Sequence, residues 1–415
     1  MSTVPGRRAR GVVAVLVALV AGGSLFVVHR LGDGSASAQD VRRTGALVAA
    51  ASPWPQAGHD ARRSSAVAAG VSGPTSGRQR WQRRLGAAVG SGPVIGVDGS
   101  VLVGSDDGVL HALDPATGAD RWSFDSGSPR GQVPSTSAAV LEDGTVLWPG
   151  GGEALYALDR RGRLLWRESL LGPGLSPAVA GDGRVYVSDA GGGVLALEVS
   201  EVDHRVVWRE DLGGPSQTSA TVSPTGTVVV GTSHALIGLR DDGDRARRRW
   251  RWPTPATLEV SAGVGPDGTA VVGLDDRYTY GVDDRGRQRW RFTKGDWSYS
   301  SATVTADGVA FAGDHLGLVD VLRADTGRVL RRTSTRPPAS RLRTGKGIWT
   351  SVAVDARGRS YVGTAPGHVV GFAPGGALLF DVDVHATVES YPALGADGTL
   401  YIGSQDGVLH AFADG

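Results

Sequence analysis

Short apolar runs alternate with glycine-containing turns along most of the chain, and one arrangement of them recurs. Its clearest copy is SGPVIGVDGSVLVGSDDGVLHALDPATGADRWSF, residues 91–124. The alternation predicts an inner strand over 93–97, a second over 101–104, a third over 109–113 and an outer strand over 121–124. Asp-Gly and related turns separate these strands, and glycine supplies the positive φ that tight hairpins require. Each copy therefore predicts a small antiparallel sheet of four strands.

The turn between the first two strands recurs eight times and sets the period of the repeat. Successive turn glycines lie 45, 39, 43, 42, 40, 50 and 40 residues apart. A period near 42 residues with four strands per unit is typical of β-propeller blades. Tryptophans expected on the outer strands follow the same spacing. The glycines are Gly99, Gly144, Gly183, Gly226, Gly268, Gly308, Gly358 and Gly398, and the tryptophans are Trp81, Trp122, Trp166, Trp208, Trp250 and Trp290.

The two ends of the repeat region complement each other. The chain finishes at YIGSQDGVLHAFADG, residues 401–415, with no outer strand after the third. RQRWQRRL, residues 78–85, places Trp81 in an outer-strand context and has no blade before it. We expect this N-terminal strand to complete the last blade, because closure removes the exposed sheet edges. The predicted fold is all-β, an eight-bladed β-propeller of four-stranded antiparallel blades.

A basic and then apolar leader precedes the repeats. Arg7, Arg8 and Arg10 come before an uncharged run at 11–28, which as a helix would span about 27 Å, close to the hydrocarbon thickness of a membrane. We expect a single-pass anchor in the cytoplasmic membrane with the propeller outside. The alternative is cleavage near Ala38, which would leave a secreted or periplasmic body. The predicted divisions are a signal anchor or signal peptide (1–30), a linker and lead-in segment (31–77) and the propeller (78–415).

The composition excludes some classes of partner and some kinds of active site. The chain has 43 basic and 42 acidic residues, so no overall field would attract nucleic acid, and we expect none as a partner. Cysteine is absent, which excludes disulfides, thiolate metal sites, a cysteine nucleophile and a lipid-modified cysteine. The pairs Asp106-Asp107 and Asp275-Asp276 lie in predicted hairpin turns, where aspartate is common, and we interpret them as turn residues instead of calcium ligands. We expect a monomer.

A family resemblance rests on the segment between the third and outer strands. Ala112, Asp114, Gly118 and Trp122 in ALDPATGADRW stand at the spacing of the tryptophan-docking motif of pyrroloquinoline-quinone (PQQ)-type propeller repeats. YALDRRGRLLW, residues 156–166, is one residue shorter, and WPQAGHDARRSS, residues 54–65, looks like the segment that leads into such propellers. The resemblance covers residues 54–415. Later units depart from it, since Arg331 and Phe380 occupy outer-strand tryptophan positions.

The resemblance implies a fold more firmly than an activity. The repeat is shared by quinoprotein alcohol dehydrogenases and by the non-enzymatic assembly factor BamB. The enzymes hold the quinone with calcium and a carboxylate base, many also with a disulfide, and they have extra loops over the ring. This chain is shorter and has no cysteine, although BamB-type factors also carry a lipidated cysteine that it lacks. We predict no catalytic, cofactor-binding or metal-binding residues and no cofactor, with a PQQ-dependent dehydrogenase of atypical pocket as the alternative.

One face of the predicted ring carries the best candidate for binding a partner. The connection after the sixth blade, RRTSTRPPASRLRTGKGIW at 331–349, is long and basic and contains no acidic residue. The preceding connection, FTKGDWSYS at 292–300, should lie beside it. Tryptophan and arginine are common in interface hot spots, so we predict a scaffold that binds a protein or an anionic polymer of the cell envelope. The alternative is a solvated loop without a partner. The predicted contact residues are Lys294, Trp297, Tyr299, Arg336, Arg341, Arg343, Lys346 and Trp349.

Overall fold

The structure, a computed structural model, describes residues 52–67, 70–128, 136–200, 202–335 and 347–415. In this part of the chain the regular elements are strands, which form eight four-stranded antiparallel sheets, and there is no helix. The predicted eight-bladed all-β propeller is therefore confirmed. No helix in the described ranges is long and apolar enough to cross a membrane. The leader segment at 1–30 and the linker up to residue 51 lie outside the described residues.

Seven blades are built from four consecutive strands each, ordered from the inner to the outer strand. The first strand of the chain, β1 (Gln79–Arg84), belongs to blade 8. Blade 1 contains β2 (Val94–Ile95), β3 (Val101–Ser105), β4 (Val109–Leu113) and β5 (Asp120–Asp125), and blade 2 contains β6 (Ala139–Val140), β7 (Val146–Trp148), β8 (Ala154–Leu158) and β9 (Leu164–Ser169). Blade 3 contains β10 (Ala178–Val179), β11 (Val185–Ser188), β12 (Gly193–Val199) and β13 (His204–Asp211), and blade 4 contains β14 (Thr221–Val222), β15 (Thr227–Thr232), β16 (Ala235–Asp241) and β17 (Ala246–Pro253). Blade 5 contains β18 (Gly263–Val264), β19 (Ala270–Gly273), β20 (Tyr278–Val282) and β21 (Gln288–Thr293). Blade 6 contains β22 (Thr303–Val304), β23 (Val309–Gly313), β24 (Leu318–Arg323) and β25 (Val329–Ser334). Blade 7 contains β26 (Ala353–Val354), β27 (Ser360–Gly363), β28 (His368–Phe372) and β29 (Leu378–Asp383). Blade 8 adds β30 (Ala393–Leu394), β31 (Leu400–Gly403) and β32 (Val408–Phe412).

Blade 8 joins the two ends of the propeller, as the sequence predicts. Strand β1 pairs antiparallel with β32, with Trp81 opposite Ala411. Beyond this pairing the Asp414 carboxylate accepts hydrogen bonds from the backbone N–H of Thr75 at 2.9 Å and of Ser76 at 3.0 Å, and from both hydroxyls. The C-terminal residues therefore hold the chain segment that enters β1.

Most outer strands are anchored to the next blade by a tryptophan. A Cβ at Gly118, in the third-to-outer turn of blade 1, would lie 2.7 Å from the Trp81 ring, so only glycine leaves room for the ring there. The Trp81 indole N–H donates to the carbonyl oxygen of Pro115 in the same turn at 2.9 Å. Trp122 and Trp290 make the equivalent contacts with the following blades. The tryptophan spacing thus reports contacts between successive blades.

The anchor differs where the sequence departs from the repeat. Arg331 replaces the tryptophan of blade 6, and its guanidinium donates to the carbonyl oxygen of Pro374 in the turn of blade 7. Three outer-strand tryptophans also lack the hydrogen bond that Trp81 makes. Within the described residues, the N–H groups of Trp166, Trp208 and Trp250 are buried without a hydrogen-bond partner.

The lead-in segment, residues 54–67, runs around the central channel along the inner strands and is part of the core. Its carbonyl oxygens accept backbone hydrogen bonds from Ile95, Val140, Val222, Val264 and Val354, each the second residue of an inner strand. The Gln56 side chain makes the corresponding bond with Val179 at 2.8 Å. Six of the eight blades are tied to this segment, near the turns that follow the inner strands.

We predict that the packing of a tryptophan on the turn glycine of the next blade contributes measurably to the stability of the closed ring. Gly118 and Gly226 both have positive φ, 70° and 79°, but a Cβ at Gly226 meets nothing within 4 Å. Gly118→Ala should therefore lower the free energy of unfolding by about 1–3 kcal/mol more than Gly226→Ala, because only the former crowds a packed ring. Urea unfolding of both variants measures the difference, and equal losses would show that Trp81 tolerates the added methyl group.

Candidate functional site

The connections between blades and the turns between second and third strands lie on one face, which we call the connection face. The backbone N–H of His315, in the β23–β24 turn, donates to the carbonyl oxygen of Trp297, in the β21–β22 connection, at 3.0 Å. Asp275 and Thr257 make the same kind of bond one blade earlier, at 3.3 Å. Side chains from neighbouring blades therefore meet on this face.

Four aromatic side chains, which we call the aromatic cluster, pack together there. Trp297 stacks on His315, with ring centroids 4.0 Å apart and planes 19° apart. Tyr299 lies edge-on to Trp297 at 4.7 Å and to Trp349 at 6.1 Å. The Trp349 indole N–H donates to His315 Nδ1 at 3.1 Å, which leaves the other ring nitrogen of His315 to carry its proton in the neutral form.

Three separate segments supply the aromatic cluster. Trp297 and Tyr299 come from the β21–β22 connection, His315 from the β23–β24 turn and Trp349 from the β25–β26 connection. The structure brings together the predicted residues Trp297, Tyr299 and Trp349, and adds His315, which the sequence analysis did not select. Tyr299 is 42% exposed and the neighbouring Leu316 is 41% exposed, so the cluster has an apolar surface in contact with solvent.

Asp314 holds these segments in place from below. Its side chain is fully buried, and its carboxylate accepts backbone hydrogen bonds from Gly295 at 3.0 Å, Leu316 at 3.0 Å and Leu318 at 2.8 Å. Its carbonyl oxygen accepts a further bond from the N–H of Ile348 at 2.9 Å. Burial raises the pKa of Asp314 despite these bonds. Its role here is to position the three segments that carry the aromatic rings.

Lys294 lies inside the blade and not on the surface, where the sequence analysis placed it. It is only 4% exposed, and its ammonium group donates to the carbonyl oxygen of Leu274 at 3.0 Å. Burial lowers the pKa of Lys294 to about 8, although the carboxylates of Asp276 and Asp314 oppose the shift. Direct contact between Lys294 and a partner is therefore not supported by its position.

The basic part of the predicted site falls outside the described residues, since Arg336, Arg341, Arg343 and Lys346 lie between 336 and 346. Both described ends of that connection adjoin the aromatic cluster. Thr335 N–H donates to Gly317 at 2.8 Å, and a Cβ at Gly347 would lie 3.0 Å from the carbonyl oxygen of His315. The described surroundings carry the exposed Asp275 and the partly exposed Asp296 and Glu259, together with the exposed Arg277, which lies 3.7 Å from Asp296.

The opposite face carries a different feature, a polar cleft of about 630 Å³ between blades 3 and 4. Its wall contains Arg184, which pairs with Glu198 and with Asp241, both at 3.1 Å. Tyr186 donates to Asp241 at 3.0 Å. These charges are satisfied within the protein, so the cleft is a weaker candidate than the aromatic cluster. In the described ranges, no group of three or more metal-ligating side chains is arranged to hold a metal ion.

Comparisons with known proteins agree on the repeat type. A family model described as outer membrane protein assembly factor BamB matches residues 65–136 and 107–258. Outer membrane protein assembly factor BamB of Yersinia pestis is 27% identical over 95 residues, which are 23% of this chain and 24% of that protein. The match spans about a quarter of that relative's length.

Solved structures extend the likeness to most of the ring. BamB from Moraxella catarrhalis matches with a TM-score of 0.57 at 17% identity, over 81% of this chain and 99% of that one. The quinohemoprotein alcohol dehydrogenase from Comamonas testosteroni gives a TM-score of 0.68 at 14% identity, over 92% and 83%. The computationally designed Ika8 protein gives 0.60 at 17% identity, over 80% and 98%. At these identities the likeness shows the fold alone.

The burial of Lys294 predicts a specific pH dependence. Its pKa is about 8 in the folded protein and 10.5 for an unperturbed lysine, so its charge lowers the free energy of unfolding below pH 8, and this loss disappears as pH rises towards 10.5. Between pH 8 and 10.5 the free energy of unfolding of wild type should therefore rise by up to about 3 kcal/mol relative to that of Lys294→Met. Urea unfolding of both proteins at several pH values measures the difference, which a solvent-exposed Lys294 would leave constant.

Proposed function

We propose that this chain, a PQQ-like β-propeller repeat protein, is a non-catalytic binding scaffold held or released outside the cytoplasmic membrane. The observation that carries the proposal is the aromatic cluster, in which rings from three segments converge on the connection face with Tyr299 and Leu316 exposed. A rigid ring of blades beneath it would present this surface to a partner with little loss of conformational entropy.

The aromatic cluster has the composition of an interface hot spot. Tryptophan and tyrosine bring large apolar area with few rotatable bonds, and both are enriched where binding energy concentrates. His315 holds Trp297 by stacking and Trp349 by a hydrogen bond, so the rings are ordered before a partner arrives. The cost of ordering them is therefore met during folding instead of during binding.

The connection that leads to the aromatic cluster is basic and the cluster's neighbours include carboxylates, which favours a protein over a uniformly charged polymer as the partner. Arg336, Arg341, Arg343 and Lys346 would attract acidic groups, whereas Asp275 on the same face would repel them. A partner that fits both the basic connection and the aromatic cluster has an acidic segment opposite the arginines and an apolar or basic segment opposite the cluster. Proteins offer such a mixed surface, and we take an envelope protein as the first choice and an anionic polymer as the second.

Relatives named as outer membrane protein assembly factors support a scaffold role in the cell envelope. The alternative is a PQQ-dependent dehydrogenase with an atypical pocket, which the likeness to the quinohemoprotein alcohol dehydrogenase favours. We prefer the scaffold because the most buried carboxylate of the aromatic site, Asp314, is occupied by three backbone N–H groups. Asp107 likewise serves its own turn by accepting from the Ser105 hydroxyl at 2.5 Å.

Site-specific cross-linking in intact cells tests where a partner binds. A photo-reactive residue at position 299 should give one discrete adduct, because Tyr299 lies at the exposed edge of the aromatic cluster. Leu171 is the matched control, since it is 69% exposed and lies in the β9–β10 connection of the same face. Adducts of equal yield from both positions, or from neither, would contradict a partner site at the cluster.

Charge removal tests the basic connection separately. Arg336, Arg341 and Arg343 replaced together by alanine should weaken capture of the cross-linked partner at least tenfold and leave the melting temperature unchanged. Replacing Arg247, Arg249 and Arg251 on β17 by alanine removes the same charge from another strand and should leave capture intact. Equal loss in both triple variants would indicate a general charge effect, and unchanged capture would exclude the connection from the site.

A further inference from the structure

Arg63 is a buried cation at the centre of the ring. It belongs to the lead-in segment, between the residues whose carbonyl oxygens receive Val264 of blade 5 and Val354 of blade 7. Only 5% of the residue is exposed, and its φ of 54° is uncommon for a residue with a side chain. Gly58 allows this placement, because a Cβ there would lie 3.0 Å from the Arg63 Cβ.

The charge of Arg63 is not neutralised by the part of the protein that the structure describes. No salt bridge joins it to a carboxylate in that part, and its Nε is buried without a hydrogen-bond partner. The nearest carboxylate in sequence, Asp60, is engaged by Arg62 at 3.2 Å and by the backbone N–H groups of Arg62 and Ser64 at 3.0 Å. Burial lowers the pKa of Arg63 to about 10, opposed by Tyr391 and Asp60. An unpaired guanidinium destabilises the folded protein in such a place.

A ring of hydroxyl groups surrounds the same channel. The residue two positions before each two-residue inner strand is serine in six blades, glycine in blade 1 and tyrosine in blade 8. These residues touch around the axis, since Ser261 accepts from the N–H of Ser219 at 3.0 Å and Ser301 from that of Ser261 at 3.2 Å. The members are Gly92, Ser137, Ser176, Ser219, Ser261, Ser301, Ser351 and Tyr391.

Tyr391 connects the hydroxyl ring with Arg63. Its hydroxyl lies 3.3 Å from Ser301 Oγ, which belongs to blade 6, so the tyrosine reaches across from blade 8. Arg63 stands between Arg62, which is bonded to blade 5, and Ser65, which is bonded to blade 7, so its backbone also lies beside blade 6. Ser176 and Ser261 already accept backbone N–H groups, so each still has a hydroxyl proton to donate. Hydroxyl donors of several blades and the buried Arg63 therefore belong to the same inner wall of the ring.

We propose that the central channel binds a small oxyanion, a carboxylate or a phosphate, with Arg63 as the charged group and the serine ring and Tyr391 as hydroxyl donors. A guanidinium makes strong, charge-assisted hydrogen bonds with such anions, and hydroxyls complete the shell without repulsion. The lead-in segment lies against the ends of the inner strands, and the serine ring lies before their starts, on the side of the connection face. This site is separate from the aromatic cluster and does not depend on the scaffold role.

Anion-dependent stability of the full chain in mild detergent tests the proposal. Sodium phosphate and sodium acetate, each titrated against sodium chloride at equal ionic strength, should raise the melting temperature of wild type saturably in at least one arm. The arm that responds identifies the source of the oxyanion as phosphate or carboxylate. Arg63→Gln should weaken the apparent affinity at least tenfold, and Arg63→Lys should restore part of it.

Matched variants separate this effect from general salt stabilisation. Arg62→Gln removes the adjacent charge, whose side chain is 27% exposed and paired with Asp60, and should respond as wild type does. Tyr391→Phe removes one hydroxyl and should weaken the affinity severalfold; it carries the test if Arg63→Gln does not fold. The proposal is overturned if wild type shows no saturable response in either arm, or if Arg63→Gln or Tyr391→Phe responds with wild-type affinity.

Discussion

Pairing of β1 with β32 joins the first strand of the chain to the last and turns eight separate sheets into a ring. Without it blade 8 would lack its outer strand and Trp81 would have no turn glycine to pack against. Trp122, Trp250 and Trp290 make the same kind of contact, in which a large outer-strand side chain packs on the turn glycine of the next blade. Closure is what fixes the positions of the connections, because each depends on the angle between successive blades.

The lead-in segment adds a second constraint at the centre. Hydrogen bonds from six inner strands end on residues 54–67, so the two-residue inner strands have a partner on the side that faces the channel. The segment also buries Arg63 between the residues that are bonded to blades 5 and 7. The aromatic cluster depends on the same geometry, since its members come from blades 5 to 7.

Repeats made the fold predictable from the sequence, and their irregularities limited what could be said of the site. Eight turn glycines and six tryptophans fix the blade count and the outer strands, and the missing last strand reveals the closure. The proximity of Trp297, Tyr299 and Trp349 follows from the fold once the connections are placed on one face. The burial of Lys294 could not be predicted, because a lysine in a connection has the same sequence signal whether its ammonium group points outwards or towards Leu274. The role of residues 54–67 was also missed, since hydrogen bonds from backbone to backbone leave no sequence pattern.

The central claim is that the ring serves as a scaffold and performs no quinone chemistry. The most direct test is a titration of the purified protein with pyrroloquinoline quinone and calcium, followed by absorbance and by dye reduction with simple alcohols and sugars. The account predicts no saturable binding of the quinone and no turnover. Saturable binding accompanied by substrate-dependent dye reduction would contradict it and would identify the chain as a quinone-dependent dehydrogenase.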